Sequence, residues 1–309
     1  MTSPDSESSN PEPASAFWNV PIKTAGGAQL WTDHLIRDGF RLQQNALTGH
    51  WRTLDSADVR RAWGKRDTCT AALDRLQPRI ENQADAPESR PKPVVVLLHG
   101  LMRTSKSMSG LATDLQDDGR FDAINFGYAS TRGSIGDHAT ALREVLEDQP
   151  QDCEFGFVGH SMGNIVVRHL IGDLNKDGDR ADLLPRMKAM IMLGPPNQGA
   201  AIARRLAPTG LFGAIAGRGG LELGPEFEAL QENLATPEFP FAIIAGDLSS
   251  QAVQNPLTEG AGDFVVGLDE ARLPGAEVIK TVPRLHSFLM NDPDAQAFTK
   301  DFLDRHLGR

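Results

Sequence analysis

Between residues 93 and 307, apolar runs of strand length alternate with apolar stripes of helical spacing. Val94–Leu98 is an unbroken run of valine and leucine, the pattern of a strand buried on both faces. Ala123–Tyr128 predicts a weaker strand. Ile135, Ala139, Leu142, Val145 and Leu146 then form a helical stripe, and Ser134 with Asp137 gives its start the form of a capping box. Phe155–Val158 predicts a strand, followed by a helix from about Met162 to Leu174. Ala189–Leu193, Phe241–Ala245 and Glu277–Val282 predict three more strands. A last helix starts at Asp292-Pro293, with proline at its first position and Phe298, Phe302 and His306 on its inward stripe. Such a βαβα succession predicts an α/β fold: a mostly parallel central sheet with helices on both faces.

The first 92 residues are patterned differently. Residues 1–15 are rich in Ser, Pro, Glu and Asp and predict a disordered tail. All four tryptophans (Trp18, Trp31, Trp51 and Trp63) fall within 16–80, too much aromatic area for an unfolded segment. Phe40–Leu54 predicts a hairpin turning near Thr48-Gly49. Val59, Ala62, Trp63, Leu73 and Leu76 have helical spacing, weakened by Gly64. Residues 82–93 carry three prolines and few apolar side chains, which marks a linker. The expected organisation is a tail over 1–15, an N-terminal extension and linker over 16–92, and a catalytic domain over 93–309. The extension is expected to pack on that domain as a structural layer. Other readings have it shape the substrate entrance or bind a partner or membrane surface.

Composition narrows the function classes. With 309 residues, 40% of them apolar and 23% charged, the chain can bury a sizeable core. The net charge of −10, without a cluster of basic residues, argues against nucleic acid as a partner. Two cysteines, Cys69 and Cys153, make neither a disulfide framework nor a metal spacing, so two buried or half-buried thiols are expected. The N-terminus has no basic and apolar signal-peptide pattern, and no apolar run is long enough to span a bilayer, so a cytoplasmic location is expected.

Phe157-Val158-Gly159-His160-Ser161-Met162-Gly163 reads as a strand, then G-x-S-x-G, then a helix. A sharp strand-to-helix turn lifts the serine hydroxyl above the sheet, and the flanking glycines admit neighbouring chain. Alone, five such residues could be an N-cap serine in a glycine-rich turn. A buried strand before them and an apolar helix after them favour a nucleophile, Ser161. Its hydroxyl needs a base, and the base an orienting acid, in the chain order Ser, acid, His. Two histidines follow the Ser161 helix, His286 and His306. His286 falls in a loop at the carboxyl end of a predicted strand, where sites gather in open α/β sheets, and is the expected base. Candidate acids are Asp247, Glu259, Asp263 and Asp269. Asp263, after Gly262 and before an apolar run, is preferred, partly on the likeness described next; Asp247 is the runner-up. Met162 N–H is one expected oxyanion donor. Leu101 N–H, after the first sheet strand, is the other, with His99 expected to be structural.

LLHGLMRTSKSM (97–108), FVGHSMGN (157–164), MLGPPNQGA (192–200), GDFVV (262–266) and RLHSFLMN (284–291) together resemble the bacterial lipase/esterase branch of the α/β-hydrolase fold. The resemblance covers about 93–307. It implies Ser161 as nucleophile, Asp263 as acid, His286 as base, and an oxyanion hole of Leu101 and Met162. The sequence departs from that pattern at Asn164, where glycine is common, and at Phe264 after the acid.

The implied activity is hydrolysis of a small-molecule or lipid carboxylic ester through an acyl-enzyme, with no cofactor and no metal. An amidase, thioesterase or acyltransferase would use the same triad, and a binding protein on a degenerate hydrolase fold is the remaining alternative. Residues 199–237 exceed a normal connection between strands and are expected to form a cap or lid over an apolar acyl pocket.

Overall fold

The computed structural model describes residues 22–23, 28–78, 91–206, 211–249, 262–263 and 265–307. The expected tail, most of the linker, Phe17, Trp18, Glu259 and Phe264 lie outside the described residues. Two sheets organise the rest. The first is antiparallel and built from β1 (Ile22–Lys23), β2 (Trp31–Arg37), β3 (Phe40–Asn45), β4 (Trp51–Leu54) and β5 (Val59–Gly64), in the order β1-β5-β4-β3-β2. Helix α1 (Arg66–Leu76) follows it. The hairpin expected over Phe40–Leu54 is the β3–β4 pair, with Gln44 opposite Trp51.

The helical spacing seen from Val59 to Leu76 divides into a strand and a helix. The β4–β5 register shifts between Thr53, opposite Ala62, and Leu54, opposite Arg60, so Arg61 is a bulged extra residue. The bulge breaks the two-residue period of the strand, and the surviving spacing of Val59, Ala62 and Trp63 imitates a helical turn. Leu42, Trp51, Ala62, Cys69 and Leu73 form a small core of their own between this sheet and α1.

The second sheet is wholly parallel. Its strands are β6 (Val94–Leu98), β7 (Asp122–Phe126), β8 (Phe155–His160), β9 (Met187–Leu193), β10 (Phe241–Gly246) and β11 (Val278–Val282), ordered β11-β10-β9-β8-β6-β7. Helices α2 (Ser109–Asp117), α3 (Ile135–Glu147), α4 (Met162–Asp177), α5 (Ala201–Leu206), α6 (Leu211–Leu223), α7 (Phe227–Gln231), α8 (Leu268–Ala271) and α9 (Pro293–His306) connect and cover it. β6 shows why its sequence is an unbroken apolar run. Val94, Val96 and Leu98 pack with Ile135, Leu142 and Ile165 of α3 and α4, while Val95 and Leu97 pack with Leu111, Leu115 and Phe302 of α2 and α9. Both faces are dry, so no polar alternation survives. The capping box at Ser134 forms, with Asp137 N–H donating to Ser134 Oγ at 3.0 Å and Ser134 N–H to Asp137 Oδ2 at 2.9 Å. Asp292 caps α9 in the same sense, accepting from Asp294 and Ala295 N–H.

The N-terminal sheet docks on α3 and on the end of β7. Asp33 N–H donates to Gly127 O at 2.8 Å, and Gly127 N–H to Asp33 Oδ2 at 2.7 Å. Arg37 grips Asp148 with two bonds, Nε to Oδ2 at 2.7 Å and Nη2 to Oδ1 at 2.8 Å; this pairing raises its guanidinium above the ordinary arginine value. His34 and Arg66 both reach Glu144. Cys69 and Cys153 are free and buried, and burial pushes each thiol up to about 11. Among the described residues, no helix is long and apolar enough to cross a membrane.

Candidate active site

Ser161 stands between β8 and α4 with φ 51° and ψ −120°, a left-handed backbone that a side chain rarely adopts. Its N–H is held by Leu193 O at 2.8 Å, across to β9. The two glycines of the motif are required by close approach. A Cβ on Gly163 would stand 2.6 Å from Leu98 O and 2.7 Å from Leu98 Cβ; one on Gly159 would stand 2.8 Å from Asn164 N. Helix α4 therefore enters directly over the ends of β6 and β8, with its N-terminal dipole at the serine. Asn164 ties the turn: its Nδ2 donates to Ser161 O at 3.0 Å and to Leu193 O at 3.4 Å.

His286 opens a short 3-10 turn, His286–Asn291, after β11. Its Nδ1 bonds Asp263 Oδ2 at 2.7 Å, and its backbone N–H donates to Asp263 O at 3.2 Å. Asp263 Oδ1 accepts from Val265 N–H at 3.1 Å and Val266 N–H at 2.8 Å. Both carboxylate oxygens thus act as acceptors, and Nδ1 of His286 is the donor of the pair. Asp263 is 1% exposed and His286 6%. Of the candidate acids, Asp263 is the one the structure brings to His286. Asp247 instead closes its own turn, accepting from Ser249 N–H at 2.9 Å. Asp269 lies on α8 beside Arg272.

Ser161 and His286 line one cavity of about 390 Å³. Leu101, Pro196, Ile202, Leu223 and Val266 give it apolar walls. Residues 199–237 therefore contribute directly, through the start of α5 and the end of α6. Of the oxyanion-donor candidates, Leu101 lines this cavity and Met162 directly follows Ser161 in the chain. A Cβ on Gly100 would lie 3.1 Å from Ser161 Cβ, which puts the Gly100-Leu101 peptide against the serine. Neither Leu101 N–H nor Met162 N–H has an acceptor among the described residues. His99 is structural, as expected. Its Nδ1 bonds Gly100 O, its ring stacks on Tyr128 at 4.1 Å, and burial pushes its imidazole down to about 4.

Three supporting residues were not singled out in the sequence. His160 is buried, and desolvation, then the nearby His286, hold its imidazole well below the ordinary value. As a neutral ring it donates from Nε2 to His286 O at 2.9 Å, fixing the backbone of His286. Arg103 Nη2 donates to Ser287 O at 2.7 Å, and Gln29 Nε2 donates to Arg103 O at 2.8 Å. The N-terminal segment thereby reaches the loop beside Ser161. His160 and Arg103 stood inside recognised motifs, whereas nothing in the local pattern marks Gln29.

No protein-family model matches the chain, and no curated protein matches it in sequence. Solved structures match in shape. Mature lipase BlEst2 of Bacillus licheniformis superposes with a TM-score of 0.50 at 19% identity, over 72% of this chain and 94% of that one. The lin2722 product of Listeria innocua gives a TM-score of 0.48 at 18% identity, over 70% and 95%. At such identities the likeness is one of fold. The chain has the α/β-hydrolase fold, with a separate antiparallel sheet at its N-terminus.

Proposed function

We propose that the chain is a serine hydrolase of carboxylic esters. The observation that carries this reading is one cavity that holds a serine on a left-handed elbow together with an imidazole whose Nδ1 is bound to a buried carboxylate. Ser161 is the nucleophile, His286 the base and Asp263 the acid. Ser161 Oγ attacks the ester carbonyl carbon while His286 Nε2 takes its proton. Leu101 and Met162 N–H groups receive the oxyanion, a contribution of about 3–4 kcal/mol for one donor in comparable sites. Asp263 fixes the imidazole tautomer and stabilises its charged form. The tetrahedral intermediate collapses, the alcohol leaves with the proton from His286, and water deacylates the serine by the same steps. No step requires a cofactor.

The apolar walls suit the hydrocarbon part of an acyl group, and the place of Ile202 and Leu223 in those walls supports reading 199–237 as a cap over it. The fold shared with a bacterial lipase is compatible with this chemistry. Two measurements test it. A fluorophosphonate probe should label the wild-type chain and not Ser161→Ala; labelling that survives in the variant rejects the nucleophile. p-Nitrophenyl esters of graded acyl length should be turned over, and faster than matched amides and thioesters. Amide turnover without ester turnover would replace the esterase with an amidase.

A further inference from the structure

A second cavity, of about 540 Å³, lies in the seam between the two sheets. It shares no lining residue with the cavity of Ser161. One wall comes from β2, β3 and β4 and the other from the segment after the Gly100–Arg103 loop, including Thr104, Lys106 and Ser109. Its charges are unevenly matched. Asp33 is sealed from solvent and saturated: Oδ2 accepts from Arg41 Nη1 at 2.6 Å and Gly127 N–H at 2.7 Å, and Oδ1 from Gln43 Nε2 at 2.6 Å. Arg41 and Asp33 therefore balance each other.

Arg52 has no such counterpart. It is 8% exposed, its guanidinium lies 3.9 Å from the Trp31 ring centroid, and its Nε donates to Gln43 Oε1 at 2.8 Å. Its Nη groups make no hydrogen bond among the described residues, yet they are not sealed from solvent. Burial pushes this guanidinium down to about 10, against the attraction of Asp33 and Asp58. A largely buried cation whose solvent-reaching Nη groups have no protein acceptor among the described residues gains by taking up an anion. Among the described lining residues, Arg52 and the exposed Lys106 outweigh Asp58, so this lining is net cationic. The two Nη groups form one edge of a planar fork, the geometry that takes both oxygens of a carboxylate. Trp31, Leu54 and Tyr128 add apolar surface, and the volume exceeds what a bare ion fills.

We propose that this seam cavity binds a small organic carboxylate, clamped by the Nη groups of Arg52 and assisted by Lys106 and the hydroxyls of Thr104 and Ser109. Binding is distinct from the Ser161 site and does not depend on hydrolysis. Calorimetric titration of the full chain with benzoate, benzamide and inorganic phosphate tests it. Benzoate should bind at least about tenfold tighter than neutral benzamide, and added sodium chloride should weaken it. Arg52→Gln should cost benzoate about tenfold or more, and Lys106→Ala about threefold. Thermal melting checks the fold of each variant. If Arg52→Gln fails to fold, Lys106→Ala, at an exposed position, carries the test. Equal affinity for benzoate and benzamide, benzoate binding indifferent to the folded variants, or binding of phosphate alone would overturn the proposal.

Discussion

Replacing Asp263 by asparagine keeps its volume and makes the two roles of its carboxylate compete. One oxygen accepts from Val265 and Val266 N–H, and the other from His286 Nδ1. An asparagine has a single oxygen. If that oxygen stays with the two backbone N–H groups, the NH₂ faces His286 and forces Nδ1 to be the acceptor. The proton then sits on Nε2, and the imidazole cannot take the Ser161 proton. The loss expected from a wrong tautomer is about 10⁴ in kcat, or roughly 5 kcal/mol, with little change in stability. If the amide turns over instead, NH₂ faces two backbone donors. Each buried donor left unmatched costs about 1–3 kcal/mol, so activity is kept and stability falls. Ester hydrolysis and thermal melting on the same sample separate the two. Asp247→Asn, at a side chain that accepts from Ser249 N–H, should change kcat by less than about threefold. A folded Asp263→Asn variant with wild-type kcat and wild-type melting temperature would refute the assignment, as would a large rate loss confined to Asp247→Asn.

Two further predictions concern the elbow and the buried imidazoles. Gly163→Ala places a methyl group 2.6 Å from Leu98 O, so α4 must retreat from β6; we expect a stability loss of about 1–3 kcal/mol and a rate loss near 10²-fold, and an unperturbed melt with full ester turnover would contradict the close approach. His99 and His138 are buried as neutral rings, chiefly by desolvation, with values pushed down to about 4 and about 3. Because the unfolded chain binds protons near 6.5 and the folded one resists, their stabilising contribution is complete above pH 6.5 and declines as pH falls toward 4 and 3. Each proton steepens the loss by about 1.4 kcal/mol per pH unit. Urea midpoints measured from pH 7 to pH 4 should fall accordingly, and His138→Phe should flatten the slope by about one proton; an unchanged slope in that variant counts against the burial argument.

The parts of this protein that local chemistry decides were legible in its sequence. Strands buried on both faces leave unbroken apolar runs, and β6, β8 and β10 were read from them. The strand–turn–helix elbow at Ser161 was readable because its requirements are confined to seven consecutive residues. His286 and Asp263 needed chain order and family likeness, since the bond between them joins residues 23 apart through a fold that no short window contains. β5 failed where a bulge at Arg61 broke the strand period. The docking of the N-terminal sheet shows a deeper limit. Apolar patterning reveals a surface by the water it avoids, yet this sheet has its own small core, and among the described residues of its strands only Ile36 joins the main one. Arg37 with Asp148, His34 and Arg66 with Glu144, and Asp33 with Gly127 hold the rest. These contacts pair residues that, taken singly, look like ordinary surface charge. Their partners lie about a hundred positions away, and nothing in either neighbourhood names the other. The seam cavity inherits the same opacity, because Arg52 becomes an unmatched cation only after Asp33 has been claimed by Arg41.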